Sequence, residues 1–218
     1  IDAAKDLSVQ VHPDDDYALV HENQLGKTEM WYVLDAEPGA TLIYGFVRDI
    51  TREKLLQSMK EGKMLNHLQQ IPVHKNDVFF VKPGTVHAIG GGVMVAEIQE
   101  NSNVTYRVYD YDRVDKNGQK RPLHLEKALE VMNLKQADAP RQQMRLMRYQ
   151  PGSASEILCR CPYFQVDRVL LNGAYHMRVE DTSFQVLLVL EGEMCVESGC
   201  NLPESQTGEA LSGLMVRK

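Results

Sequence analysis

Short runs of β-branched and aromatic residues, each closed by a glycine or proline turn signal, recur through the early and late parts of the sequence and predict a mainly β fold. Met30-Trp31-Tyr32-Val33-Leu34 and Thr41-Leu42-Ile43-Tyr44-Gly45-Phe46-Val47 flank Glu37-Pro38-Gly39, which predicts a hairpin. Asp77-Val78-Phe79-Phe80-Val81 leads through Pro83-Gly84 to His87-Ala88-Ile89, and the strand Val93 to Gln99 follows Gly90-Gly91-Gly92. Phe164 to Leu171 and Phe184 to Leu190 repeat the pattern, with a turn at Gly192. Helices are expected in the middle of the chain. Thr51 suits the N-cap of one with Leu55, Leu56 and Met59 on a single face and Gly62 as its stop. A short helical turn is expected to carry Leu65 and Leu68, and Pro122 to open a segment with Leu125, Ala128, Leu129 and Met132 as an apolar stripe.

At 218 residues and 43% hydrophobic content the chain can bury a substantial core, as one large domain or two small ones. No apolar run approaches the roughly 20 residues that a bilayer requires. Ile1 to Asp6 lacks the basic-then-apolar order of a signal peptide, so the cytoplasm is the expected compartment. A net charge of -6 counts against nucleic acid, and an anionic small substrate would need a local basic pocket. Cys159, Cys161, Cys195 and Cys200 are expected to be free thiols, because Cys159-Arg160-Cys161 is too tightly spaced for a zinc knuckle.

Chemistry concentrates in four residues: Gln10 and His12 in Ser8-Val9-Gln10-Val11-His12-Pro13, Glu29 in Gly26-Lys27-Thr28-Glu29, and His87 after Pro83-Gly84-Thr85-Val86. Each alone is more often an ordinary core or solvated residue. Together, two imidazoles and a carboxylate suit divalent zinc or iron, and the Gln10 carbonyl can add a hard neutral ligand. Gln10 and His12 share a face if the segment is a strand. Glu97 and Gln99 also share one, and periodicity leaves a cavity and solvent equally open to them. Lys27 lies two residues before Glu29, so Lys27 and Glu97 are both candidates for a general base, and Lys27 and Gln99 for holding substrate. Asp14-Asp15-Asp16 suits a cap or turn better than a cation site. His21, His67, His74, His124 and His176 match no ligand spacing.

Five ordered segments carry a resemblance: Asp6 to Pro13, Gly26 to Tyr32, Gly84 to Ala88, Glu97 to Ser102, and Thr105 to Arg113. The sequence resembles the type I mannose-6-phosphate isomerases of the cupin superfamily, in their shorter bacterial form. The resemblance covers about residues 1 to 195. It implies a cupin (jelly-roll) barrel with a few helices, and one zinc ion bound by Gln10, His12, Glu29 and His87. It also implies interconversion of mannose 6-phosphate and fructose 6-phosphate through a cis-enediol, with Arg107 as the active-site arginine. A small-molecule sugar phosphate is then the partner, with no nucleic acid or membrane, and nothing in the sequence specifies an oligomer. A catalytically impaired sugar-binding cupin and an iron-dependent cupin oxygenase are the alternatives. Residues 1–135 are expected to form the metal-binding domain, 136–162 a connection, and 163–218 an incomplete second β unit. Ser198 to Gly208 reads as loop and Leu211 to Lys218 as too short to supply a sheet. Family members begin well upstream of Ile1, so the chain is expected to be truncated at both ends. Asn76 stands where the family often has glycine, and Lys82 where it often has proline.

Overall fold

A computed structural model describes residues 1–141, 146–179 and 181–196, together with the backbone of 211–217. The chain divides into two compact units, Ile1–Gln142 and Gln143–Lys218. In chain order the first contains β1 (Asp2–Ala3), β2 (Val9–Val11), α1 (Asp15–Glu22), β3 (Glu29–Ala36), β4 (Thr41–Phe46) and α2 (Arg52–Lys60). A 3-10 turn (Met64–His67) precedes β5 (Leu68–Pro72), β6 (Val78–Val81), β7 (His87–Ile89), β8 (Val93–Gln99), β9 (Tyr106–Tyr109) and α3 (Leu125–Val131).

These strands form two sheets, ordered β1-β8-β3-β6 and β5-β4-β7-β2-β9, with antiparallel pairing throughout. Trp31, Val33, Phe79, Val81, Val93 and Val95 from the first sheet join Leu42, Ile71 and Ile89 from the second in one buried cluster, so the sheets face each other across it. A second cluster lies on the opposite face of the five-stranded sheet, where Leu55 of α2 and Ala128 and Leu129 of α3 cover Val9, Val11, Ala88, Tyr106 and Val108. Truncating a buried ring such as Phe79 in such a core typically costs about 3–5 kcal/mol. The mainly β, cupin-like architecture is therefore the one found, as two facing sheets rather than one closed barrel.

The expected hairpin does not form. β3 pairs with β6 and β8, while β4 pairs with β5 and β7, so the turn at Glu37-Pro38-Gly39 carries the chain from one sheet to the other. The first five residues of β3 are all buried, and its two neighbours come from distant sequence. A turn signal says only that the chain reverses. Leu68 begins a strand instead of completing a helical turn, and the paired Gln69-Gln70 breaks the alternation that would have announced it. α1 had no apolar stripe to reveal it, since only Ala18 is buried, but Asp14 caps it by accepting from the Tyr17 N–H at 2.9 Å. α2 has the expected Thr51 cap, accepting from the Lys54 N–H at 3.3 Å. α3 starts after Pro122, with His124 at its N-cap.

Two positions in the chain leading to His87 have left-handed backbone. Asn76 has φ 74°, a left-handed conformation that asparagine tolerates. Gly84 has φ 80°, and a Cβ there would meet the Val131 carbonyl oxygen at 2.8 Å.

The second unit holds β10 (Arg148–Gln150), β11 (Ser153–Arg160), β12 (Gln165–Leu171), β13 (Gln185–Glu191) and β14 (Leu211–Arg217), in the order β10-β11-β12-β14-β13. β10 and β11 occupy part of the expected connection 136–162. Their alternation is hidden by small and polar residues in Ser153-Ala154-Ser155-Glu156, and Gly152, with φ 75°, makes the tight turn between them. Leu211 to Arg217, expected to be too short for a sheet, pairs on both edges between β12 and β13. Backbone bonds on two sides secure what its length alone does not. The loop expected at Ser198 to Gly208, and Cys200, lie outside the described residues. Cys159, Cys161 and Cys195 are free, and burial pushes the Cys159 thiol up to about 12.

Candidate metal centre and active site

Val9 and Val11 of β2 are buried in the helix-covered cluster, so alternation turns Gln10 towards the space between the sheets. Register fixes its neighbours. Gln10 pairs with His87 on one side and Arg107 on the other, and His87 pairs with Tyr44. Directly opposed residues share a face, so Tyr44, His87, Gln10 and Arg107 form a row across the five-stranded sheet. In the facing sheet Glu29 pairs with Gln99 and Val81, and Trp31 with Glu97 and Phe79. Trp31, Phe79 and Val81 belong to the intersheet core. Glu97 and Gln99 therefore face the interior, the choice that periodicity left open.

His12, one residue beyond β2, completes a tight group. His12 Nε2 lies 3.2 Å from Glu29 Oε1, and His87 Nε2 lies 3.7 Å from Oε2. All three residues are at most 1% exposed, and their candidate ligand atoms lie within 4.8 Å of one another. The His12 Nδ1–H donates to the Val104 carbonyl at 2.9 Å, and the His87 Nδ1–H to the Thr85 carbonyl at 2.8 Å. A carbonyl only accepts, so each ring carries a proton on Nδ1, the tautomer that presents a lone pair at Nε2. Those lone pairs converge on a carboxylate.

His12 Nε2 and both Glu29 oxygens are buried without a well-directed hydrogen bond. Facing acceptors repel unless a cation lies between them. Two imidazole nitrogens and a carboxylate oxygen, with carbonyls orienting the rings from behind, form a donor set that fits a divalent metal. The Gln10 amide nitrogen stands 3.4 Å from His87 Nε2. A half-turn about the last side-chain bond exchanges that nitrogen for the carbonyl oxygen.

Charge around the group is balanced by Lys27, which is buried rather than solvated. Its Nζ stands 2.6 Å from Glu29 Oε1 and 3.9 Å from Glu97 Oε1. Burial alone would raise the Glu29 pKa, but the His12 contact, the neighbouring His87 and the Lys27 ammonium hold it well below the ordinary range. Burial, followed by His12, lowers His87 to about 4 and keeps its ring neutral. Burial, followed by the Glu29 charge, raises Glu97 to about 7.

The structure brings Gln10, His12, Glu29 and His87 together with Lys27 and Glu97 beside them. Gln99 lies on the same face, with its amide donating to the Ser102 carbonyl at 3.2 Å. Arg107 is half-buried, with one guanidinium nitrogen donating to the Pro122 carbonyl at 2.9 Å and its Nε without a partner. Sequence reasoning missed the carbonyls of Val104 and Thr85, because every residue has one. It also missed that Trp31 and His87 pack nearly perpendicular to each other, with ring centroids 5.4 Å apart.

No protein-family model matches the chain. It is 40% identical over 200 residues to mannose-6-phosphate isomerase ManA of Bacillus subtilis, covering 91% of this chain. It is also 40% identical over 212 residues to mannose-6-phosphate isomerase of Streptococcus mutans, covering 97%. A crystal structure of mannose 6-phosphate isomerase from Bacillus subtilis matches with a TM-score of 0.85 at 31% identity, covering 100% of this chain and 73% of that one. The chain belongs to the mannose-6-phosphate isomerase family. It spans 62% and 65% of the length of the two sequence relatives. Its candidate metal site lies wholly in the first unit, contributed by both facing sheets of this isomerase-family fold.

Proposed function

We propose that this chain is a zinc-dependent aldose-ketose isomerase acting on mannose 6-phosphate and fructose 6-phosphate. The observation that carries the reading is the buried convergence of the His12 and His87 Nε2 atoms on the Glu29 carboxylate, in a chain that matches isomerases over nearly its whole length. Gln10, by its amide oxygen, is the fourth zinc ligand in this reading. A bound zinc ion supplies Lewis acidity, polarising the carbonyl and hydroxyl oxygens of the sugar.

The chain's own groups handle the proton. Glu97 takes the proton from C2 of the open-chain aldose, and the electron pair left behind forms the C1–C2 double bond of a cis-enediol as the carbonyl oxygen gains a proton; Lys27, committed to Glu29 as its ion-pair partner, is left to hold substrate. Returning a proton to C1, with loss of the one on the C2 hydroxyl, gives the ketose. Arg107, in the row with Gln10 and His87, supplies a fixed positive charge where negative charge develops on oxygen. Lys27 and Gln99, on the interior face with Glu29, orient the sugar hydroxyls. No described helix is long and apolar enough to cross a membrane.

A coupled assay with mannose 6-phosphate, with and without chelator, tests the reading. Turnover that chelation abolishes and zinc restores is the expected result; no turnover from folded, zinc-loaded protein would overturn it.

A further inference from the structure

β9 ends the sheet order β5-β4-β7-β2-β9, so one of its edges has no strand neighbour among the described residues. At Arg107 that edge is occupied by a single residue, His124. The His124 backbone N–H donates to the Arg107 carbonyl at 2.8 Å, and the Arg107 N–H donates to His124 Nδ1 at 3.1 Å. The first bond is what a neighbouring strand would give. In the second, a ring nitrogen stands where that strand would offer its carbonyl.

The arrangement reaches both ends of Arg107. Two residues before His124, the Pro122 carbonyl accepts from the guanidinium at 2.9 Å. Because the Arg107 N–H and C=O both point outward to His124, the Gln10–Arg107 pair is of the non-hydrogen-bonded kind, in which opposed side chains approach most closely. No carboxylate among the described residues forms an ion pair with Arg107; Asp110, the nearby acid, is taken by Arg113 and Arg121. The His124 side chain makes no cap hydrogen bond to α3, while its carbonyl accepts the helical Ala128 N–H at 2.9 Å. Its ring is thus committed to Arg107 rather than to the helix.

We infer that His124 is a positioning residue for Arg107: with Pro122 it clips the backbone and guanidinium of that arginine to the start of α3, fixing where the side chain's charge lies. This inference rests on the isomerase reading of Arg107 given above. It explains why a histidine outside any ligand pattern sits beside the site. Asparagine offers an acceptor at nearly the position of Nδ1; phenylalanine keeps the ring shape and offers none.

Steady-state kinetics with mannose 6-phosphate on the zinc-loaded full chain separate the possibilities. His124→Phe is expected to lower kcat by about tenfold to a hundredfold, the scale of a small misplacement of a reacting group. KM, zinc content and melting temperature should change little, and His124→Asn should restore most of kcat. Combined with Arg107→Ala, His124→Phe should cost nothing further, since both act through one guanidinium. If Arg107→Ala lowers kcat and His124→Phe does not, or if Asn fails to rescue, the positioning role is overturned. If Arg107→Ala leaves kcat unchanged, the fault is in the assignment of Arg107.

A readout free of turnover covers an inactive wild type or a failed fold. The Arg107 Nε–H resonance, assigned by its loss in Arg107→Ala, should be sharp in wild type and His124→Asn and broadened in His124→Phe. His124→Leu makes the same comparison if the Phe variant does not fold. An unchanged resonance in the variant lacking the acceptor overturns the clip.

Discussion

At the scale of single residues, the site is a problem of too many lone pairs. His12 and His87 each commit Nδ1–H to a carbonyl, so both Nε2 atoms point at Glu29 with nothing to share. Glu29→Gln tests what holds them. The substitution keeps shape and removes the charge that draws a cation into the group, so zinc affinity should fall by more than about tenfold, a loss seen even when only a residue behind a ligand is changed. Metal analysis after dialysis against a graded chelator series reads this directly, and undiminished zinc retention would count against Glu29 as a ligand. All four ligand candidates stood out in the sequence, because histidine, carboxylate and amide side chains carry their chemistry with them. Lys27 was less legible. Its burial against Glu29 follows from the fold, whereas residue type alone also fits a solvated turn, a reading that only the surrounding motif disfavours.

At the scale of elements, the segment after β9 shows how a loop is held in an unfavourable shape. Tyr111 and Asp112 both have φ 53°, a left-handed conformation costly for residues with a Cβ. Asp110 secures the loop by pairing with Arg113 and with Arg121. The Arg121 hydrogen bond outweighs burial and, with Arg113, lowers the Asp110 carboxyl from 3.8 to about 2. A carboxyl depressed in the folded state stabilises it above about pH 4, and that contribution is lost as pH falls through about 2. Asp110→Asn should therefore lower the urea midpoint at pH 5 and converge with wild type near pH 2. Parallel curves across that range would show that the pair contributes nothing. The run Tyr109-Asp110-Tyr111-Asp112-Arg113 belongs to a segment that carries the family resemblance, but nothing in it announces Arg121, which meets Asp110 from eleven residues away.

At the scale of the whole molecule, every candidate ligand lies in Ile1–Gln142, and among the described residues no such cluster lies in Gln143–Lys218. A metal that binds only the folded state stabilises the unit holding it, by about 2.7 kcal/mol at a hundredfold excess over Kd. Chelation should therefore speed hydrogen exchange in β2, β3 and β7 and leave β11 and β12 unchanged, as followed by mass spectrometry on proteolytic fragments. Equal acceleration in both units, or none in either, would contradict a metal confined to the first.

The sequence by itself determined the mainly β character, the chemistry of the ligand set and the helix capped by Thr51, because these depend on side-chain type and on spacing along a few residues. Only the tertiary structure decided that β3 and β4 belong to different sheets, that β14 sits between β12 and β13, and that Glu97 and Gln99 face inward. Strand partners are chosen by backbone hydrogen bonds and shared burial between segments far apart in sequence, and those bonds use groups that every residue possesses. The same reason hid His124. Its spacing matched no ligand pattern, and its position on the bare edge of β9 exists only once the sheet has formed.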